Sequence, residues 1–141
     1  MGLQFTVCWA IDGEACPTLD YLVSLWTEDR DCFYAVLDGI EKIQDSRYLC
    51  EPTVKRFPVN KKVTDLFELR VQGGKRRARI ALLYTKAHEI ILLNGVTKKS
   101  QKATKQFIGK AVTLRMQIRS EEIDYEPIPI DYIKQELERQ S

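Results

Sequence analysis

Three runs, LFELRV, ARIALLY and EIILLNGV, follow one another between residues 66 and 96 with only short breaks, and that succession restricts the fold more than anything else in the chain. In the first run Phe67, Leu69 and Val71 alternate with Glu68 and Arg70; in the second, Ile80, Leu82 and Tyr84 alternate with Arg79, Ala81 and Leu83. A period of two is that of a β-strand with one face on a core. Gly73 and Gly74 break the first pair of runs, and Lys86 to Glu89 the second. Such breaks suit hairpin turns, so the three strands predict an antiparallel meander.

The flanking sequence supplies the remaining elements. Leu3, Phe5, Val7 and Trp9 alternate with Gln4, Thr6, Cys8 and Ala10, which predicts a first strand. MGLQFT also fits the loose myristoylation pattern at Gly2 and Thr6, but the strand period accounts for the same residues. Pro17 and Thr18 open a short helix with Leu22, Leu25 and Trp26 at helical spacing, and Thr27 reads as the N-cap of a second. In that second helix Phe33, Val36, Leu37, Ile40 and Ile43 form an apolar stripe, with Asp31, Asp38 and Glu41 outside it. The segment YLCEPTVKRFPVNKKVTD, broken by Pro52, Pro58 and Asn60, reads as an irregular connection. A last long helix follows TKKS, with Phe107, Ala111, Leu114 and Ile118 facing the sheet. Ile130, Ile133 and Leu137 predict a short amphipathic helix appended after Pro127 and Pro129.

The order β-α-α-β-β-β-α is that of an α+β fold. The expectation is a four-stranded antiparallel sheet, an N-terminal helical hairpin and a C-terminal helix. Residues 1–120 form one domain in this reading, and residues 121–141 an acidic C-terminal extension.

Charge is divided sharply along the chain. Residues 1–54 hold 3 Lys or Arg against 10 Asp or Glu; residues 55–119 hold 17 against 3; residues 120–141 hold 2 against 7. The bland net charge of +2 therefore conceals a strongly basic middle, which points to a polyanionic partner. The acidic tail could fold back on that basic surface and moderate binding. No apolar run approaches the roughly 18 residues of a membrane span, and no basic leader precedes an apolar stretch. Cys8, Cys16, Cys32 and Cys50 are scattered and His88 is the only histidine, so zinc-ligand spacing is absent and no metal or small-molecule cofactor is expected. Four thiols without a leader fit a reducing, cytoplasmic setting.

Within the basic middle, RVQGGKRRAR places Arg70 and Arg79 near the two ends of one hairpin, both opposite the apolar face. Two guanidiniums side by side are a poor structural choice and a good phosphate clamp, each a planar fork of donors. Lys75, Arg76 and Arg77 crowd the turn itself. Lys98 and Lys99 fall at the end of the third run, and Lys102 and Lys105 near the start of the last helix, where cations oppose the helix dipole and suit a ligand better than the helix. A plainer reading stands beside this one: Arg70 has Glu68 and Glu89 within reach as ion-pair partners, and Lys102, Lys105 and Lys110 also fit a solvated helix face.

The run LFELRVQGGKRRARIALLYTKAHEIILLNGVTKKSQKATKQFIGKA, residues 66–111, resembles the RelE/ParE superfamily of bacterial toxins, and most of all its HigB-type branch. The resemblance lies in an E-L-R strand, a turn, an R-[IV] strand, an apolar strand and a K-K-[ST]-Q-K opening to a Lys- and Ala-rich helix. It implies a toxin of a type II toxin-antitoxin system, a ribosome-dependent mRNA endoribonuclease held inactive by an antitoxin protein of helix-turn-helix type. It further implies that Arg79 sits at the scissile phosphate, with Arg70, Lys98 and Lys99 supplying transition-state or flanking charge. Lys75, Arg76, Arg77, Lys102 and Lys105 are then RNA-binding residues. Some members carry lysines where this chain has Leu66 and Glu68, and a tyrosine where it has Lys105, Gln106 and Phe107, which leaves the general base unassigned. His88 falls at a hairpin tip away from Arg79, and Tyr125 lies past the last long helix. The alternative is a non-catalytic relative on the same fold that inhibits a protein such as DNA gyrase, or a nucleic-acid-binding regulator.

Overall fold

A computed structural model describes residues 4–46, 54–59 and 62–140. Gly2, Leu3, Cys50, Pro52 and Asn60 lie outside the described residues. The elements run β1 (Thr6–Ile11), α1 (Pro17–Glu28), α2 (Arg30–Gln44), β2 (Val54–Arg56), β3 (Leu66–Gly73), β4 (Arg76–Tyr84), β5 (Glu89–Thr97), α3 (Gln101–Arg119), β6 (Asp124–Pro127) and α4 (Ile130–Gln140).

The meander is formed as the alternation predicts: β4 pairs antiparallel with both β3 and β5. The sheet around it is larger than expected and mixed. It has six strands in the order β2-β3-β4-β5-β1-β6, and β1 lies parallel to β5, with Val7 opposite Ile90 and Trp9 opposite Leu92. A four-stranded, wholly antiparallel sheet is thus corrected. Two helices and three strands separate β1 from β5 in sequence, so no turn chemistry fixes their relative direction. The two extra strands are short edges. β2 emerges from the connection read as irregular and pairs with β3, while all four residues of β6 are exposed beside β1.

Helices cover both faces of the sheet. On one face Leu69, Ile80, Leu82 and Leu92 pack with Leu22, Leu25, Phe33, Val36 and Ile40 of α1 and α2. On the other Leu66, Ala81, Leu83 and Leu93 pack with Phe107, Ala111 and Leu114 of α3. Burial on both sides is why ARIALLY and EIILLNGV read as almost continuous apolar runs. Each fully buried Leu, Ile or Phe contributes about 1.5–3 kcal/mol, which outweighs local propensity in fixing these strands.

The junction of α1 and α2 is capped by Asp29, not Thr27. The Asp29 carboxylate accepts from Cys32 N at 3.1 Å, whereas Thr27 Oγ1 donates back into α1 to Val23 O. An Asp is the stronger N-cap, and the Thr27 hydroxyl is already satisfied within its own helix. The two glycines of the β3–β4 hairpin answer to this junction. A Cβ on Gly73 would lie 2.6 Å from Ala35 Cβ and 2.9 Å from Cys32 Cα, so the strand end fits against α2 only without a side chain. Gly74 opens the two-residue turn at φ +59°, the left-handed region that glycine enters freely.

The acidic C-terminal segment is part of the packed structure. β6 pairs with β1, Ile123 joins the core under α3, and Ile128, Ile130 and Ile133 join the core under α1 and α2. The short helix expected after Pro129 is present as α4, and Tyr34 of α2 donates to its Glu138 at 2.9 Å. Among the described residues no carboxylate of the segment bonds to the basic residues of β4, β5 or α3.

Candidate functional site

Antiparallel pairing of β3 and β4 puts Arg70 directly opposite Arg79. Opposite residues share a face, so both guanidiniums lie on the side of the sheet that also carries α3, and both keep an exposed portion. Their side chains are 35% and 18% exposed. Glu68, two residues before Arg70 and hence on the same face, is only 2% exposed. Its Oε1 accepts from Arg70 Nε at 2.6 Å and from Arg79 Nη1 at 2.9 Å. The two guanidiniums stand side by side, and an internal carboxylate holds one edge of each fork. A guanidinium has five N–H donors, so each arginine retains others for a ligand.

The neighbouring strand is shaped by a bulge. Pairing of β4 with β5 slips between Ile80, opposite Gly95, and Leu82, opposite Leu92, which leaves one extra residue in β5. Leu93 and Asn94 accordingly both turn toward α3: Leu93 enters its core and Asn94 Nδ2 donates to Phe107 O at 3.1 Å. Beyond the bulge Val96 sits beside Arg79 on that face, while Thr97 turns to the other and shares a 3.0 Å hydrogen bond with Tyr21. Bulges commonly re-aim side chains next to functional sites.

β5 then hands over to α3. Lys98 N donates to Arg77 O at 2.8 Å, fixing this residue beside β4, and Ser100 caps α3 by accepting from Ala103 N. Lys98, Lys99 and Lys105 line one surface depression with Ser100, Gln101 and Thr104. Lys75, Arg76 and Arg77 line a second, which shares Lys98 and Lys99. Arg77 and Arg79 are two residues apart on one face of β4 and connect this basic hollow with the arginine pair. Lys102 is exposed on the first turn of α3 and lines neither depression. Arg76 is bound on the opposite side, with Nη1 2.7 Å from Glu28 Oε2 and Nε 3.6 Å from Asp29 Oδ2.

Other cations of the basic block are committed to the fold. Arg115 and Arg119 of α3 both bond to the carboxylate of Asp65, just before β3. His88 and Tyr125 stand at the far end of the sheet. His88 lies in the β4–β5 turn at φ 61°, stacked on Phe5 with ring centroids 4.1 Å apart. Tyr125 donates to Glu89 Oε1 at 3.1 Å, and Glu89 begins the strand near whose end Val96 meets Arg79, roughly 20 Å away along β5. Loss of solvation, then the Glu89 carboxylate, pushes the Tyr125 phenol up, so it keeps its proton at neutral pH. Burial raises the Cys8 thiol to about 11 and pushes Cys16 and Cys32 up as well, which makes these thiols poor nucleophiles. Among the described residues no group of three or more His, Cys, Asp or Glu is placed to hold a metal ion, and no helix is long and apolar enough to cross a membrane.

Sequence reading puts Glu68 within reach of Arg70 but does not place its carboxylate between the two arginines. Its signal was the E-x-R spacing, which puts acid and base on one face of a strand. Residues 20–116 match the family model described as Phage derived protein Gp49-like. No curated protein matches the chain.

Proposed function

The chain belongs to the phage-derived Gp49-like family, a RelE-like toxin family of toxin-antitoxin systems, and from that premise we propose that it is a HigB-type toxin that cleaves mRNA on the ribosome. The observation that carries this reading is the cross-strand pair Arg70 and Arg79, partly exposed and continuous through Arg77 with the hollow of Lys98 and Lys99.

RNA can be cleaved by attack of the 2′-OH on the adjacent phosphate, and the pentavalent transition state gathers negative charge on its equatorial oxygens. Fixed guanidinium donors aimed at those oxygens stabilise them more than the ground-state phosphate. In this reading Arg79 contacts the scissile phosphate, Arg70 shares the developing charge, and Lys98 and Lys99 hold flanking phosphates. Lys75, Arg77, Lys102 and Lys105 extend the backbone contact, and Arg76 serves the fold. Residues 1–120 carry this machinery, and the acidic segment 121–141 completes the sheet around it. The partner that restrains the toxin is an antitoxin protein, of helix-turn-helix type by the HigB resemblance, and the reaction is cytoplasmic and needs no cofactor.

One observation favours the non-catalytic reading. The single imidazole and the Tyr125 phenol lie at the far end of β5, which leaves the proton on the 2′-OH without an evident base. Inhibition of a protein target such as DNA gyrase would need none. Primer extension on mRNA from cells expressing the chain separates the two. Discrete, translation-dependent cuts support the nuclease; intact mRNA with arrested replication supports inhibition of gyrase.

A further inference from the structure

Two arginines directly opposite on adjacent strands repel, and a carboxylate with almost no exposure is costly to bury alone. Arg70, Glu68 and Arg79 relieve both conditions together, leaving the group with one net positive charge at the sheet surface. The geometry points to a specific consequence. We propose that Glu68 is a positioning residue: an internal counter-anion that locks Arg70 and Arg79 side by side, so that their remaining N–H groups form a preformed receptor for the phosphate being cleaved.

Both bonds are made to the same oxygen, Oε1, from Arg70 Nε and Arg79 Nη1. A single acceptor atom therefore fixes the relative placement of the two forks. Long arginine side chains otherwise lose rotamer freedom when they bind, and restraining them beforehand moves that loss out of the binding step. The same carboxylate also stands behind the guanidiniums as a competing negative charge. Glu68 accordingly weakens attraction for the ground-state phosphate while aligning the donors for the transition state.

These two effects have opposite signs, which a role in folding alone does not produce. Glu68→Gln keeps the size and a carbonyl acceptor but removes the charge. It is expected to tighten binding of a single-stranded RNA oligonucleotide several-fold at low salt, and to lower kcat by about tenfold or more through misalignment. KM and kcat then fall together. Glu68→Asp keeps the charge but withdraws it by one methylene, so it should lower kcat with RNA affinity close to that of the unaltered chain. An unchanged kcat in Glu68→Gln, or a loss of activity that merely tracks the folded fraction, overturns the proposal.

The kinetic arm rests on the ribonuclease reading, whereas the binding arm does not. If the chain cuts no RNA, tighter binding of RNA and of inorganic phosphate by Glu68→Gln still supports a counter-anion, and unchanged or weaker binding refutes it. Should Glu68→Gln fail to fold, nuclear magnetic resonance of arginine Nε–H groups in the unaltered chain decides. With inorganic phosphate added, the Arg70 Nε–H should stay protected from solvent exchange. Release of that proton would mean that phosphate displaces Glu68, which contradicts a fixed scaffold.

Discussion

Arg76 and Glu28 form an ion pair of 2.7 Å that ties the tip of the β3–β4 hairpin to the last turn of α1. Alternation on β4 explains the placement. Arg76 shares a face with Ala78 and Ile80, toward α1 and α2, while Arg77 and Arg79 point the other way. The concentration of charge in RVQGGKRRAR thus serves two masters, one per sheet face, with Gly73 admitting α2 and Gly74 making the turn.

Arg76→Ala should therefore affect stability more than RNA binding. The pair is partly exposed, so the expected loss is small, about 0.2–1 kcal/mol in urea unfolding. Lys98→Ala should do the reverse: little change in unfolding, and a salt dependence of RNA binding reduced by about 0.7 in log–log slope, the contribution of one single-strand phosphate contact. Equal salt slopes for Lys98→Ala and the unaltered chain would remove Lys98 from the interface.

Arg79→Ala should abolish growth inhibition, with cleavage reduced on the order of a hundredfold or more if the guanidinium acts on the transition state. The substitution also strips the buried Glu68 of one partner, which costs about 1–3 kcal/mol of stability. Arg79→Lys gives the cleaner comparison, since it retains the charge near Glu68 but loses the planar fork. A folded Arg79→Lys or Arg79→Ala chain that remains fully toxic would exclude Arg79 from the site.

The meander was legible because alternation in LFELRV, two short apolar runs after it and turn residues at Gly73, Gly74 and Lys86 to Glu89 specify it locally, and the α3 face because Phe107, Ala111 and Leu114 recur at helical spacing. What escaped was set by distant pairing. β2 has three residues in a proline-broken segment, and β6 has no buried side chain, so neither carries a period. The parallel alignment of β1 with β5 depends on how both sheet faces are covered by helices, which no single stretch encodes. Within the site, the arginine pairing followed from hairpin register, but the bulge at Leu93 and Asn94 did not. An apolar residue followed by Asn looks like ordinary alternation until α3 is in place to receive both.

Stability should fall as pH rises above about 9. The Cys8 thiol, pushed up to about 11 by burial and then by Glu89, stays protonated in the folded chain while its unfolded counterpart ionises near 9. The folded state then holds more protons than the unfolded one, so the slope of stability against pH is negative in that window. Tyr21 and the thiols of Cys16 and Cys32 are shifted in the same direction, chiefly by burial, and add to it. Urea midpoints measured from pH 7.5 to pH 11 test this, and Cys8→Ser with an undiminished alkaline loss would show that Cys8 contributes nothing to it.

Removing residues 121–141 should destabilise the domain, without improving its grip on RNA. The segment buries Ile123 on the α3 side and Ile128, Ile130 and Ile133 on the α1 and α2 side, each contributing up to about 1.5–3 kcal/mol. It also covers the outer edge of β1, which would otherwise present unpaired backbone groups to solvent and to other chains. Its described carboxylate contacts are with Tyr34 and with its own Arg139, so deleting it uncovers no arginine or lysine of the proposed interface. Urea unfolding of a chain ending at Ser120 should therefore show a much lower midpoint or no cooperative transition. A stable truncated chain that binds RNA more tightly at low salt would instead make the acidic segment a competitor for the basic surface.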